Sequence, residues 1–391
     1  MLAHAATAAA LTHDLEARTS RLRVVHIVAN LKEGGAEALV RQLCPRLGRY
    51  GIDPSVIAVY GSNLSPEETV ALGVPVVEIG RRSRRDLGFF PRLVNRLRTL
   101  DSAIVHAHIT TGKFAGRSAA VLAGVPRIVF TEHGDLGRSP VRTALNAVLH
   151  PRTDRFIVFS EGQRTDLIAA ERVPASKVRI IPNGVSLPDL NAGPIDRLAI
   201  RAELGVDPGE LAFIIPARIT EIKNQTLAIS ALAGQEQIAG RRWRLFLAGQ
   251  GPAEAECRAI AAAAGVADRV RFLGFRDDVA RLLPAVDGFL MPSRFEWMPL
   301  ALGEAMLAGT PVVTAPWRYA GSFVRDGETG FVSADWSAPA FARAIERAVT
   351  PGDAGRRIVE NARAFARATF DIEIAARRHA ELYRELIEAP H

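Results

Sequence analysis

The sequence predicts an α/β protein made of two doubly wound parallel-sheet domains. Short apolar runs rich in Val, Ile, Leu and Phe alternate with amphipathic segments along nearly all of the 391 residues. The apolar runs do not alternate with polar residues, which is typical of strands buried on both faces of a parallel sheet. A stretch dense in Pro, Gly and Asn, IPNGVSLPDLNAGPIDR, interrupts the pattern near the middle and predicts a joint between two domains.

The predicted strands follow one another in both halves of the chain. In the first half they are RVVHIV, SVIAVY, VPVVEI, AIVHAH, RIVFT, RFIVFS and VRII, and in the second half LAFIIPA, RLFLAG, RVRFLG, GFLMP, PVVTA and TGFVS. Segments such as AEALVRQLC and AECRAIAAAAG supply crossover helices. We expect an N-terminal extension over 1–20, a first domain over 21–190, a second over 191–370 and a terminal helix over 371–389. Ligands of such sheets bind beyond the carboxyl ends of the strands, so a central cleft between two facing domains is the expected site.

The composition is that of a globular protein, with 48% hydrophobic and 23% charged residues. No apolar run reaches eighteen residues, so we expect no membrane-spanning helix. The first twenty residues lack a basic leading region and a convincing apolar core, which favours an extension over a signal peptide. Cys44 and Cys257 are the only cysteines, which favours free thiols and a cytoplasmic location.

The formal net charge of +7 favours acidic partners. The densest basic stretch, RRSRRDLGFFPRLVNRLR, runs from Arg81 to Arg98. It is either a solvated helix face preceded by a charged loop, or a contact for a membrane surface or a phosphate-bearing acceptor. Aromatic residues make up only 6%, and no zinc-finger or aromatic-basic motif occurs, so we expect no nucleic-acid partner.

Two basic residues follow the first strand of the second half. Arg218 and Lys223 lie at or just beyond the carboxyl end of LAFIIP. Arg offers a planar fork of donors and Lys a compact positive charge, so the pair would suit a diphosphate. A solvated basic pair is the alternative.

Two acids flank a later strand-to-helix turn, RFEWMPLALGEAM. We expect Pro299 at the first position of the helix, Glu296 in the loop before it and Glu304 more than a turn into it. The amides near Leu300 and Ala301 would then be free to bind an anion, and each carboxylate could accept hydrogen bonds from hydroxyls on either side. A diphosphate flanked by two sugars is a nucleotide sugar. The alternative is a loop acid and a surface helix acid without function.

The first half offers weaker signals. Gly34 and Gly35 follow the first strand, where paired glycines allow close approach of a ligand to the backbone, and His133 follows a strand end. We expect no metal site, because His106 and His108 are expected to alternate between the faces of a strand and lack nearby Asp or Cys partners. The stretch LAGQGPAE lacks the third Gly and the matching acid of a nicotinamide site, so no cofactor is expected.

Together these segments resemble the family 4 glycosyltransferases, retaining enzymes of the GT-B fold. The resemblance extends from about residue 21 to residue 386 and is most specific in RITEIKNQTLAI, LAGQGP, VRFLGFRDDV, PSRFEWMPLALGEAMLAGTPVV and DGETGFV. The segments GGAE, TEHG and IPNGV carry it in the first half. Glu296 and Glu304 match the family's E-x7-E motif.

The resemblance implies roles for five residues. Arg218 and Lys223 would bind the donor diphosphate. Glu296 would contact hydroxyls of the transferred sugar, and Glu304 the ribose. His133 would lie beside the reacting sugar.

The resemblance also implies a wider donor site. Its members would be Gly34, Gly35, Phe275, Arg276, Met298, Pro299, Leu300, Ala301 and Glu304. Phe275 and Arg276 would border the base, and the backbone of 298–301 would hold phosphate. Many members of the family carry Gly where this chain has Pro299, and because Pro has no N–H, that contact must come from a neighbouring amide. The family's terminal helix crosses back to the first domain, as we expect of residues 371–389.

The expected activity is metal-independent transfer of a hexose-type sugar, with retention, from a nucleoside diphosphate to an acceptor hydroxyl. The acceptor would be a glycan or a lipid-linked molecule in polysaccharide or glycolipid assembly, and the protein would be cytoplasmic, with peripheral attachment at the inner membrane face left open. Two alternatives stay open. A nucleotide-sugar epimerase of the GT-B type would convert donor without acceptor, and a non-catalytic nucleotide- or glycan-binding module would show no turnover.

Overall fold

A computed structural model describes residues 21–32, 34–83, 85–134, 136, 140–186 and 196–389. The predicted extension, much of the predicted joint and Arg84 lie outside the described residues. The chain divides into two compact units, one comprising Met1–Gly184 with Ile372–His391 and the other Val185–Asp371. None of the described helices combines the length and apolar character needed to cross a bilayer.

The first unit is built on a sheet of seven parallel strands in the order β3-β2-β1-β4-β5-β6-β7. The strands are β1 (Leu22–Val28), β2 (Ile52–Ala58), β3 (Val76–Glu78), β4 (Ile104–His108), β5 (Arg127–Thr131), β6 (Arg155–Val158) and β7 (Val178–Ile180). The helices between them are α1 (Gly35–Leu47), α2 (Pro66–Leu72), α3 (Phe89–Leu100), α4 (Arg117–Ala123), α5 (Pro140–Ala147) and α6 (Glu161–Glu171).

The second unit is built on six parallel strands in the order β10-β9-β8-β11-β12-β13. They are β8 (Leu211–Ile215), β9 (Trp243–Ala248), β10 (Val270–Gly274), β11 (Gly288–Met291), β12 (Val312–Thr314) and β13 (Phe331–Val332). The helices are α7 (Arg197–Leu204), α8 (Gln225–Ala233), α9 (Glu254–Ala263), α10 (Leu300–Ala308), α11 (Ala338–Val349) and α12 (Asp353–Thr369). The predicted doubly wound α/β class is thereby confirmed for each unit.

The last helix, α13 (Ile372–Glu388), belongs to the first unit. The chain therefore crosses between the units twice, after Gly184 and after Asp371. The two crossing segments run side by side, since Val185 and Asp371 form a parallel bridge. A Cβ on Gly184 would lie 2.3 Å from the Cα of Ile372, so this approach requires glycine.

The strands of the first unit send alternate residues to two separate cores, as the period of two of a β-strand requires. Val25 and Val105 pack in the core that contains α3 and α4. Val24 and Ile104 pack in the core that contains α1 and α13. His26 and His106, two residues further along these strands, therefore lie on the same face, and both rings contact the Tyr383 ring of α13.

Candidate functional site

The loop after β8 carries Lys223, and the loop after β11 carries Glu296. Backbone hydrogen bonds join the two loops, because the Arg294 amide donates to the Ile222 carbonyl at 2.8 Å. The Asn224 side chain also donates to the Pro292 carbonyl at 3.2 Å. Two predicted residues that are 73 positions apart in sequence are thus brought together at the carboxyl edge of the sheet.

Lys223 and Glu296 form an ion pair. The Lys223 Nζ lies 2.7 Å and 2.8 Å from the two carboxylate oxygens of Glu296, and the Ser293 hydroxyl donates to Oε1 at 2.6 Å. The Lys223 side chain is 29% exposed and that of Glu296 only 8%. The carboxylate is therefore held on one side by protein, while the ammonium group remains within reach of solvent and of a ligand.

Arg218 lies in the same loop but is exposed, and within the described part of the chain no hydrogen bond or ion pair engages its guanidinium. Its backbone is fixed by the loop after β9. A Cβ on Gly249 would lie 2.1 Å from the Ala217 carbonyl oxygen, and one on Gly251 would lie 2.0 Å from that of Ile219. These glycines allow backbone to pack on backbone beneath Arg218, which is their structural role.

The helix after Glu296 begins one residue later than expected. Pro299 is the N-cap, with φ −78° and ψ 110°, and α10 starts at Leu300, so the prediction that Pro299 is the first helical residue is wrong by one position. No side chain caps this end, and its first turn holds no acid. The amides of the first turn, including that of Ala301, are therefore not satisfied by a capping side chain, which is the arrangement that binds anions. Met298, in the turn before the cap, is buried.

Glu304 lies on α10 in a half-buried position. Among the described residues its carboxylate has no hydrogen-bond or ion-pair partner, and burial raises its pKa above the ordinary value. The helix is seated tightly at this level, because a Cβ on Gly303 would lie 2.5 Å from the Phe370 ring. A carboxylate held rigidly without a partner is suited to accept hydrogen bonds from a ligand.

The residues expected to border the base have different surroundings. Phe275 is 70% exposed. Arg276 makes two hydrogen bonds of 2.6 Å to the Asp278 carboxylate and one of 3.2 Å to Glu203, and these bonds raise its pKa. Its guanidinium edge is thus occupied by protein acids.

In the first unit, the predicted glycines differ in how strongly the backbone requires them. Gly34 has φ +111°, and a Cβ there would lie 2.3 Å from a carboxylate oxygen of Glu37, so no other residue fits without rearrangement. Gly35 begins α1, and no atom lies within 4 Å of where its Cβ would be.

The backbone around His133 is held by a buried ion network that the sequence did not reveal. Glu132 accepts a hydrogen bond from the Gly134 amide at 3.0 Å and pairs with the Lys113 ammonium at 2.9 Å. Lys113 also contacts Glu171 at 2.9 Å, and all three charged side chains are at most 3% exposed. Breaking a buried pair of this kind costs several kcal/mol, which fixes the turn that carries His133.

The His133 ring joins a cluster of imidazoles on one face of the sheet. His133 Nε2 lies 3.4 Å from His108 Nδ1, and His108 Nε2 lies 3.1 Å from His26 Nδ1. The neighbouring His106 lies with its ring centroid 4.1 Å from that of His108. The expectation that His106 and His108 alternate faces is therefore wrong, because residues two apart on a strand share a face.

The cluster also includes the last helix. His106 hydrogen-bonds to the Tyr383 hydroxyl and to the Thr131 hydroxyl, both at 2.6 Å. Ring nitrogens of His26, His106 and His108 all lie within 4.8 Å of one another, so by spacing alone they could surround a metal ion. The group contains no carboxylate or thiolate, and both nitrogens of His106 already have hydroxyl partners at hydrogen-bond distance. The described geometry is that of a hydrogen-bonded cluster.

Burial keeps these rings neutral. Desolvation lowers the pKa of His26 and of His133 from 6.5 to about 3, and that of His379 to about 4. It also lowers the pKa values of His106 and His108 well below 6.5, with repulsion from neighbouring rings adding to the shift. At neutral pH, His133 therefore offers one N–H donor and one nitrogen acceptor, without a positive charge.

Comparison with known proteins defines the class to which the chain belongs. Residues 33–188 match the family model described as Glycosyltransferase Family 4, and residues 196–365 match Glycosyl transferases group 1. The chain is 31% identical over 259 residues to the D-inositol 3-phosphate glycosyltransferase of Mycobacterium sp. (strain KMS), across 64% of this chain and 57% of that relative. It thus spans little more than half the length of this relative.

Other matches cover more of the chain. Identity to the alpha-D-kanosaminyltransferase of Streptomyces kanamyceticus is 25% over 328 residues, 79% of this chain and 84% of the relative. The crystal structure of Anabaena HepE in complex with UDP and glucose superposes with a TM-score of 0.80 at 23% identity, covering 93% of this chain and all of that one. The fold is GT-B. The chain belongs to the family 4 type of glycosyltransferases.

Proposed function

We propose that the enzyme transfers a hexose from a nucleoside diphosphate to an acceptor hydroxyl with retention and without a metal ion. The observation that supports this most strongly is the second unit's combination of Lys223 paired with Glu296, an uncapped helix start at Leu300, and a Glu304 carboxylate that has no partner among the residues the structure describes. The positive groups suit a diphosphate, and each acid lies where a sugar hydroxyl could donate to it.

The diphosphate is stabilised as charge develops on it during departure. Arg218 and the amides of the α10 start donate to its oxygens. Lys223 uses its three donors to bridge the Glu296 carboxylate and a phosphate oxygen. Preorganised donors of this kind are the largest contribution in many enzymes, and loss of one costs on the order of 10²–10³ in rate.

Glu304 binds the ribose in this proposal. In the free protein, desolvation by burial raises its pKa, and no donor among the described residues offsets that shift. Two ribose hydroxyls would stabilise the charged form, which lowers the pKa again. Binding at a pH near the raised pKa should therefore release part of a proton from this group.

Retention follows from attack on the face that the diphosphate leaves. Glu296 is engaged by Lys223 and Ser293, so it is better placed to position the sugar than to attack it. The acceptor oxygen forms the new bond to the anomeric carbon as the bond to the phosphate oxygen breaks. The departing phosphate oxygen takes the acceptor proton, which leaves no net charge unaccounted for.

A thermal-shift screen against UDP, GDP, ADP and dTDP tests the donor site, with EDTA present to test the metal-free proposal. A nucleotide at a hundred times its Kd should stabilise the protein by about 2.7 kcal/mol. That corresponds to a shift of about 5–10 °C for a domain of this size. Arg218→Ala should abolish the shift. Arg242→Ala, which removes an exposed arginine at the opposite end of the sheet, should keep it.

No shift with any nucleotide at millimolar concentration would contradict the proposal, and so would equal loss in both variants. A shift that depends on added divalent ion would refute only the metal-free part. Conversion of a nucleotide sugar into its epimer without acceptor would favour the epimerase alternative. Binding with no turnover against any acceptor would favour a binding module.

We propose further that the acceptor is lipid-linked or membrane-associated, supported by the surface from Arg81 to Arg98. Arg82, Arg85 and Arg96 are exposed, and no hydrogen bond or ion pair within the described residues engages their side chains. Leu87 beside them is 81% exposed. An exposed apolar side chain among unpaired arginines is the combination that binds an anionic membrane surface.

Flotation with vesicles of one-quarter anionic lipid tests this surface. Each arginine near such a membrane contributes about 1 kcal/mol, so replacing these three by Ser should weaken binding roughly 10²-fold. The matched control replaces three exposed arginines elsewhere, Arg242, Arg343 and Arg378, and should bind as wild type does. Equal binding by all three proteins would refute the membrane contact, and a soluble phosphorylated polyol would become the better acceptor class to screen.

A further inference from the structure

Three rings of the first unit form a chain of hydrogen bonds that ends at His133. His26 and His108 are fully buried, and His133 is partly exposed. The links are His26 Nδ1 to His108 Nε2 at 3.1 Å and His108 Nδ1 to His133 Nε2 at 3.4 Å. The Nε2 of His26, at the buried end, has no partner among the described residues.

This chain of three hydrogen-bonded rings allows only two arrangements of protons. A neutral imidazole carries one N–H and one acceptor nitrogen, so the tautomer of each ring dictates that of the next. In the first arrangement all three rings are protonated on Nδ1, and His133 keeps an Nδ1–H that no ring engages. In the second all three are protonated on Nε2, and His133 keeps an acceptor nitrogen instead.

The buried end of this hydrogen-bond chain, His26 Nε2, determines which of the two proton arrangements is more stable. In the second arrangement the His26 Nε2–H would be buried without an acceptor. Leaving a buried donor without a hydrogen bond costs about 1–3 kcal/mol. In the first arrangement the unsatisfied group is the lone pair of His26 Nε2, and unsatisfied buried acceptors are tolerated better than unsatisfied N–H groups. The slight preference of free imidazole for Nε2–H acts in the other direction but is smaller than this cost.

We infer that His26 and His108 are positioning residues that hold His133 in its Nδ1–H tautomer, so that His133 presents a hydrogen-bond donor to an oxygen of the sugar being transferred. The oxygen's identity rests on the proposed function, whereas the tautomer does not. A neutral donor fits a reaction in which the acceptor proton leaves with the phosphate, because His133 then needs to move no proton.

Nuclear magnetic resonance of the full chain labelled with ¹⁵N-histidine tests the tautomer directly. Long-range ¹H–¹⁵N correlations distinguish Nδ1–H from Nε2–H by the shift of each nitrogen. Signals are assigned from His108→Asn and His133→Asn, each of which removes one ring. At pH 7, His108 and His133 should both be Nδ1–H in the unsubstituted chain. An Nε2–H signal from either of these two rings, an average of the two tautomers, or a doubly protonated His133 would overturn the inference.

A matched pair of amide substitutions tests the positioning role. The side-chain nitrogen of Asn falls near the Nδ1 position of a histidine, and that of Gln near Nε2. His108→Asn can therefore still donate to His133, while His108→Gln cannot. We expect His133 to remain Nδ1–H in His108→Asn and to become a mixture in His108→Gln.

The same two variants, His108→Asn and His108→Gln, should differ in catalytic rate. Release of nucleoside diphosphate from the nucleotide sugar identified by the screen should slow about 2- to 10-fold in His108→Gln, the value of one neutral hydrogen bond, with His108→Asn near wild type. The thermal shift by the nucleotide should be the same in both. Equal loss in both variants would show a purely structural role and overturn the inference, as would one equivalent of tightly bound zinc released on replacing His108. If no nucleotide shifts the melt, the proposed function fails, and the tautomer result still stands.

Discussion

Lowering the pH from 8 to 5 should destabilise the first unit and leave the second nearly unchanged. Four histidine rings of the first unit are at most 1% exposed: His26, His106, His108 and His379. Burial lowers the pKa of each below the ordinary 6.5. Unfolded chains take up protons on these rings as the pH falls through 6.5, while the folded unit does not, so stability is present above 6.5 and is lost below it.

The size of the effect follows from the unfolded pKa. At pH 5 the unfolded state gains about 2 kcal/mol for each ring, because pH 5 lies 1.5 units below 6.5 and one unit is worth about 1.4 kcal/mol. Four rings give about 8 kcal/mol, comparable with the whole stability of a typical domain. Carboxyl groups with lowered pKa, such as Glu78 and Asp86, act only at more acidic pH.

The chain contains its own control. None of its nine histidines lies between residues 185 and 371, whereas all four tryptophans do. Tryptophan emission therefore reports the second unit alone. Hydrogen exchange measured by mass spectrometry, corrected for intrinsic rates, should show lost protection in β1 and β4 at pH 5 and unchanged protection in β8 and β9. Equal protection of β1 at both pH values would refute the reasoning. In His26→Leu the slope of stability with pH near 5.5 should fall by about one proton.

Two further substitutions test structural contacts. Lys113→Met should destabilise the first unit by about 3–5 kcal/mol in urea unfolding, because it leaves two buried glutamates without their cation. Lys177→Met removes a half-buried lysine whose hydrogen bonds to the described residues all go to backbone carbonyls, and it should cost clearly less. Equal costs would argue against a special role for the buried ion network of Lys113. Gly251→Ala should abolish the nucleotide-induced thermal shift, because the new Cβ would lie 2.0 Å from the carbonyl oxygen of the residue after Arg218. Gly234→Ala has no such contact and should keep the shift; unaltered binding by Gly251→Ala would show that the loop can move without consequence.

The fold was predictable because the strands of a parallel sheet and the helices between them each have a recognisable local sequence pattern. Continuous apolar runs identified the strands of both sheets, since burial on both faces removes polar positions. The start of α10 was missed by one residue, because Pro fits both the N-cap and the first helical position and its φ is similar in each. The site residues of the second unit follow strand ends, and the strand boundaries predicted from the sequence already identify those positions.

The contacts between site residues were not predictable, because they depend on which strands are neighbours. Lys223 and Glu296 are paired because β8 and β11 are adjacent in the sheet, and sequence order does not state that adjacency. His26 meets His108 for the same reason, through β1 and β4. One signal was available and was misread: histidines two apart on a strand share a face, so His106 and His108 could have been assigned to one cluster.

The double crossing of the chain has a consequence for the order of folding during synthesis. The core beneath β1 and β4 includes α13, whose Tyr383 hydrogen-bonds to His106. That helix is made about 200 residues after the rest of the first unit, which at 5–20 residues per second is a delay of about 10 to 40 s. The second unit is continuous in sequence and can close first. Until the last helix emerges from the ribosome, the histidine face of the first sheet lacks the part of its cover that α13 provides, and this is the interval in which a chaperone would bind the nascent chain.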